Sequence, residues 1–189
     1  MKKPLILVAA LFFALTTLSF AQADIALKGV GGRLGFVMPT EGNIDNTLGF
    51  GLQANLGSIT PKILLDAYVD YWAKGYTAVN YKWTWSTFGI AAIAKYKIDM
   101  EGSIHPYVGG GLGFNISKSS GKYTGPNSSL FGQYLDSDVS SSTTDVAIHL
   151  VGGATMALTP KMDGLAEVKY TLGGIDNLGI FVGVNYKLQ

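Results

Sequence analysis

Thr47-Leu48-Gly49-Phe50-Gly51-Leu52-Gln53-Ala54-Asn55-Leu56-Gly57 sets Leu48, Phe50, Leu52, Ala54 and Leu56 on alternate positions, with glycine or an amide at each position between them. Apolar residues recurring every second position mark a strand with two unlike faces, because successive side chains of an extended chain point to opposite sides. The second face is the unusual one. Gly49, Gly51, Gln53, Asn55 and Gly57 supply almost no bulk, so that side of the sheet must lie in a confined space.

The same alternation recurs outward in both directions and predicts eight strands: Ile25 to Met38, Thr47 to Ile59, Lys62 to Gly75, Thr84 to Ile98, Ile104 to Ser117, Thr144 to Leu158, Leu165 to Gly173 and Leu178 to Leu188. Bulky faces carry Leu34 and Phe36 in the first, Val69 and Tyr71 in the third, Phe88 and Ile90 in the fourth, and Leu112 and Phe114 in the fifth. Ile148 and Leu150, Val168 and Tyr170, then Ile180, Val182 and Val184 continue the series. The connections alternate too. Ile59–Lys62, Asp99–Gly102 and Thr159–Gly164 are short, whereas Thr40–Asn46, Tyr76–Trp83, Lys118–Thr143 and Gly174–Asn177 form the other set. Short turns at one end and longer loops at the other are expected of a membrane barrel.

Side-chain size decides which face is inside. An eight-stranded barrel has an interior just wide enough for side chains to fill, so glycine and polar groups suit the lumen and the bulky face suits lipid. A soluble barrel of opposite orientation would have a bare glycine exterior. It would also be odd at 14% charged residues, against about 25% in ordinary soluble domains. The charges sort independently onto the predicted lumen face: Arg33, Asp66, Asp70, Lys74, Lys95, Lys97, Asp145, Glu167, Lys169 and Lys187. Lys28 is the exception, near a strand start where it can snorkel. A Lys or Arg facing lipid at mid-depth costs roughly 2–4 kcal/mol, which gives the sorting a cause. The expected fold is an all-β, closed, eight-stranded antiparallel up-and-down transmembrane β-barrel.

Residues 1–23 read as an export signal. Lys2 and Lys3 precede the uncharged apolar run Leu5 to Phe20, and Ala21-Gln22-Ala23 is a small-x-small cleavage pattern, so cleavage is expected between Ala23 and Asp24. Residues 24–189 then form one domain. With Lys2 and Lys3 set aside, its 14 − 2 = 12 basic and 13 acidic residues show no basic clustering, so no nucleic-acid partner is expected, and the absence of cysteine excludes disulfides and thiolate metal sites.

Pro106-Tyr107-Val108-Gly109-Gly110-Gly111-Leu112-Gly113-Phe114 resembles a strand of the small bacterial outer-membrane β-barrel proteins, the group that includes the barrel domain of outer membrane protein A and the X and W types. Leu158-Thr159-Pro160-Lys161 with Leu165–Thr171 resembles the following turn and strand, and Gly179–Gln189 its closing strand. The resemblance implies a bacterial outer-membrane location, with surrounding lipids including lipopolysaccharide, and handling by periplasmic chaperones and the barrel-assembly machinery. Gly183, Tyr186 and Leu188 match that machinery's C-terminal signal, while Phe181 and Gln189 depart from it. It implies no specific activity. The chain is expected to be monomeric and to hold no cofactor, metal or catalytic residue.

Arg33, Asp66, Asp70, Lys95, Lys97, Glu167 and Lys169 are the candidate site, read as a polar network plugging the lumen because opposite charges inside a closed barrel need partners. A hairpin centred near residue 80 would set Asp66 opposite Lys95. The expected role is structural or surface-interacting, with a narrow channel or small-solute carrier as one alternative and a lipid-modifying enzyme as another. His105 and His149 lie roughly 20–25 Å apart along neighbouring strands and cannot share a site. His149 with Asp145 and a loop serine imitates a hydrolase triad in composition only.

Overall fold

The computed structural model describes residues 23–40, 44–123 and 138–188. Apart from Ala23, the predicted export signal lies outside the described residues, as do the tip of the Lys118–Thr143 connection and Gln189. Eight strands follow one another: β1 (Asp24–Pro39), β2 (Thr47–Thr60), β3 (Ile63–Ala78), β4 (Tyr81–Lys97), β5 (Ile104–Tyr123), β6 (Asp138–Thr159), β7 (Met162–Leu172) and β8 (Asn177–Lys187). Each is antiparallel to the next, and β1 pairs with β8 from Gly29↔Lys187 to Pro39↔Asn177, closing the barrel. Closure leaves every strand a hydrogen-bonded neighbour on both sides, the condition for spanning a medium without water.

The two faces separate as their composition demands. Leu34, Leu52 and Val182 turn outward, 56%, 64% and 61% exposed, while Arg33, Tyr68, Ile93 and Glu167 are buried in the lumen. Phe50, Tyr71 and Phe88 occupy one directly paired cross-strand row on the outer face, with Phe50 and Tyr71 at 5.4 Å between ring centroids. Such a row near one end of the apolar band, with exposed Tyr96 and Tyr186 toward the other, matches the interfacial girdles of membrane barrels.

The turns at the end carrying the termini repeat one device. In Thr60-Pro61-Lys62 the Thr60 hydroxyl accepts the Ile63 N–H at 3.2 Å, and in Thr159-Pro160-Lys161 the Thr159 hydroxyl accepts the Lys161 N–H at 3.3 Å. Proline pre-sets the turn and the hydroxyl satisfies a freed donor. At the opposite, loop end the structure departs from expectation. Tyr76–Trp83 is not a loop: β3 and β4 stay paired to Ala78↔Tyr81, leaving only Val79 and Asn80 as the turn, with Asn80 at φ 67°. Asparagine tolerates that left-handed conformation, so a two-residue hairpin closes. Lys118–Tyr123 and Asp138–Thr143 likewise continue the β5–β6 ladder, as far as Lys122↔Asp138. Without an apolar face, the Lys118–Thr143 sequence fits either a polar strand extension or a solvated loop, and the described pairing is that of the strand extension. Strands β3 to β6 therefore rise as a flap above the β7–β8–β1–β2 wall, where β7 ends at Leu172 and β2 begins at Thr47.

The lumen also holds more apolar bulk than the glycine-rich reading expects. Tyr68, Ala91, Ile93, Tyr107 and Val151 pack in one cluster, and Val37, Ile44, Trp72, Ile175 and Phe181 in another near the loop end. Glycines make this room. A side chain built at Gly51 would meet Asp70 Oδ1 at 2.2 Å and Arg33 Nε at 3.0 Å.

A charged residue on the outer face tests the orientation. Leu52→Arg is expected to destabilise the refolded barrel by about 2–4 kcal/mol in urea titrations in phosphocholine vesicles. Leu52→Phe should leave the midpoint nearly unchanged.

Candidate functional site

Six charged side chains meet at mid-barrel, three cations against three anions. Arg33 of β1 is the hub. Its Nη1 donates to Glu167 Oε1 at 2.6 Å, and Nε and Nη2 donate to Asp70 Oδ1 at 3.0 and 2.6 Å. This fork geometry, worth more than a single point contact, is specific to guanidinium. Lys169 of β7 donates to the other Asp70 oxygen, Oδ2, which Arg33 Nη2 also reaches at 2.6 Å. Lys95 of β4 stands 2.7 Å from Asp66 Oδ2 and 3.6 Å from Glu167 Oε2, while Asn55 donates to Asp66 Oδ1 at 2.9 Å.

Aromatic side chains complete the cluster. The Tyr68 and Tyr107 hydroxyls both donate to Glu167 Oε2, at 2.6 and 2.7 Å. The Arg33 guanidinium carbon lies 3.7 Å from the centroid of the Tyr68 ring and 4.8 Å from that of Phe181. Lys95 lies 4.4 Å from the Tyr107 centroid. The cations are thus held by π faces as well as by carboxylates, which offsets part of the desolvation that burial imposes.

The structure brings Arg33, Asp66, Asp70, Lys95, Glu167 and Lys169 together but not Lys97. Lys97 is exposed at the mouth of the terminal end, among the residues lining a vestibule of about 700 Å³ with His105, Asp163 and Lys187. It shares the inward phase of Lys95 but lies one pleat beyond the packed layer, where water reaches it. The hairpin register also needs correction. Asp66 pairs with Ile93 and Lys95 with Leu64, so Asp66 and Lys95 meet on the diagonal, within reach of a long side chain. Lys28, expected at the interface, is bridged to Asp24 at 2.8 Å. Tyr68, Tyr107 and Phe181 were missed as members. Tyr68 and Tyr107 were already on the inward phase, and a glutamate opposite inward tyrosines was the available signal. Phe181 too falls on the inward phase, between Gly179 and Gly183, and its departure from the C-terminal signal was the available sign.

Above the charges a cavity of about 20 Å³, the size of one water molecule, touches His149, Thr171, Asn115 and Lys169. His149 Nδ1 is 3.1 Å from Thr171 Oγ1. Asp145 lies about 13 Å further along the same strand, so the triad-like residues do not converge. His105 pairs with Thr155 and His149 with Gly111, which keeps the two histidines about 20 Å apart along the ladder. Among the described residues no His, Cys, Asp or Glu group has metal-binding geometry. Gly183 abuts Arg33, whose Cβ lies 2.8 Å from where a side chain would begin. Tyr186 and Leu188 face outward near the terminal end.

The model of the outer membrane protein β-barrel domain family matches residues 6–187. The chain belongs to that family. Membership places this barrel in the bacterial outer membrane. No curated protein sequence matches the chain. Among solved structures, a major outer membrane protein from Thermus thermophilus is similar with a TM-score of 0.61 at 11% identity, over 86% of this chain and 100% of that one. Ail, the attachment invasion locus protein of Yersinia pestis, is similar with a TM-score of 0.55 at 15% identity, over 88% and 99%. Neisserial surface protein A is similar with a TM-score of 0.54 at 20% identity, over 85% and 95%. At these identities the likeness is one of fold.

Removing one partner of the buried cluster strands the other. Glu167→Leu is expected to cost about 3–5 kcal/mol of stability by urea unfolding in vesicles, because Arg33 is left underpaired and two tyrosine hydroxyls lose their acceptor. Gly51→Val should lower stability as well, by driving Arg33 and Asp70 apart.

Proposed function

We propose that this chain is a non-enzymatic, non-conducting outer-membrane barrel that contributes to envelope architecture and presents its loop end to the exterior. The observation carrying this reading is the neutral six-charge cluster, whose members come from strands on opposite sides of the lumen and pair across it. An ion crossing it would have to break charge pairs and strand their partners in a low-dielectric interior. The apolar group of Val37, Trp72, Ile175 and Phe181 adds a second barrier loopward of the charges.

The export signal is removed between Ala23 and Asp24, the termini face the periplasm, and Gly183, Tyr186 and Leu188 present the closing strand to the assembly machinery. The mature barrel works as a monomer among outer-membrane lipids, lipopolysaccharide included. A carrier reading has one feature in its favour, the wide vestibule at the terminal end. The charge layer closes that vestibule at its inner end, and the recording below separates the two readings.

In planar bilayers the purified barrel is expected to give no steady conductance, whereas Arg33→Ala combined with Glu167→Ala and Asp70→Ala should produce discrete openings. Stable, porin-like steps from the unaltered protein would sink the sealed-barrel reading. A heat-dependent shift on detergent gels shows that each variant is folded.

A further inference from the structure

The loop-end flap carries a second built feature, unrelated to the charge cluster. On its inner face the register aligns Trp85, Ser119 and Ser141 across β4, β5 and β6, with Thr143 and Asp145 below on β6. These residues, Lys118 and Gly174 line a pocket of about 220 Å³. Trp85 is seated by packing against the Val37, Ile44, Trp72, Ile175 and Phe181 cluster. Gly174, at φ 74° in the β7–β8 turn, keeps the floor open: a side chain there would begin 3.3 Å from Ser117 Oγ and 3.5 Å from Asp145 Oδ2. Ser119, Ser141, Thr143 and Asp145 make no side-chain hydrogen bond or ion pair to other described residues.

Further out along the same face of β4, the Trp83 and Tyr81 rings stack at 5.5 Å with 13° between their planes, both more than 40% exposed. Gly121 permits this, since any side chain there would start 3.2 Å from the Trp83 ring. The face therefore offers aromatic surface beside hydroxyls that both donate and accept, one carboxylate that only accepts, and the Lys118 ammonium that only donates.

We propose that this pocket binds a neutral pyranose, the terminal hexose of an oligosaccharide reaching the cell from outside. A pyranose has an apolar C–H face for an indole and a rim of hydroxyls for serine, threonine and carboxylate oxygens. With Lys118 and Asp145 both on the lining the pocket's formal charges sum to zero, so a phosphate, sulfate or carboxylate group on the sugar gains no net attraction there. The stacked Tyr81–Trp83 pair extends the aromatic track for a second ring. The inner face points toward the barrel axis and away from the surrounding leaflet, so lipid-anchored sugars of the same membrane approach the wrong side. The inference rests on the loop end being external, as proposed above, but not on the lumen being sealed; a conducting barrel would leave it standing.

The test uses the refolded protein in phosphocholine micelles, because glycoside detergents carry the probe chemistry themselves. Maltotriose and an N-acetylglucosamine trimer are titrated while tryptophan fluorescence and saturation-transfer NMR are followed. A saturable response with half-saturation near about 1 mM is expected for at least one of them. Asp145→Leu should weaken it about tenfold, as loss of a hydrogen bond to a charged group does. Glucose 6-sulfate should bind no more tightly than glucose. Should Asp145→Leu lose the heat-dependent gel shift, Ser141→Val with Thr143→Val, both on exposed positions, carries the same expectation. Silence from both neutral probes to about 50 mM, well above the weak-binding range, with the gel shift intact overturns the proposal. Tighter binding of the sulfated sugar also overturns it, as does a maltotriose response that vanishes when lipopolysaccharide is added to the micelles.

Discussion

A guanidinium buried at the centre of a closed sheet must be neutralised from several directions at once. Arg33 does this through Asp70 on β3 and Glu167 on β7, while Tyr68 and Phe181 cover its faces. Glu167 in turn is shared by two tyrosines and approached by Lys95. No pair in this set is complete alone. Elements distant in the chain are tied together across the lumen, so the barrel's cross-section is set by polar geometry as much as by backbone hydrogen bonds.

The same constraint explains the distribution of glycine. Arg33, Tyr68 and Phe181 need more space than an eight-stranded lumen offers if every inward position bears a side chain. Gly51 and Gly183 lie against Arg33 and leave the volume it fills. Outside, the demand is reversed. Hydrocarbon rewards bulk and penalises charge, so Leu48, Leu52 and Leu112 stand exposed where a soluble protein would bury them. The charge-paired mid-section and the lipid-facing belt are two consequences of one alternating pattern.

At the loop end that pattern changes meaning. Beyond the girdle neither face meets lipid, and β3 to β6 continue as a polar ladder with Tyr81, Trp83 and Trp85 on the inward side. Aromatic residues placed there no longer anchor the protein in an interface. They lie on the inner side of the flap, at the loop end of the barrel where such proteins carry recognition.

Strand number, phase and orientation were legible in the residues, because a period-two alternation between bulk and glycine has only one comfortable solution beside lipid. The charged members of the plug were legible too, since each lay on the inward phase. Several features were decided by tertiary structure alone. Closure brings β1 beside β8 and sets Arg33 within reach of both Asp70 and Glu167, groups 37 and 134 residues away in sequence. The two-residue turn at Val79-Asn80 shifts the hairpin so that Asp66 meets Lys95 diagonally, and one further pleat removes Lys97 to the vestibule. Local pattern reports which side of a strand a residue occupies. Its height along the barrel axis depends on register, and register is settled only when the whole ring of strands has closed.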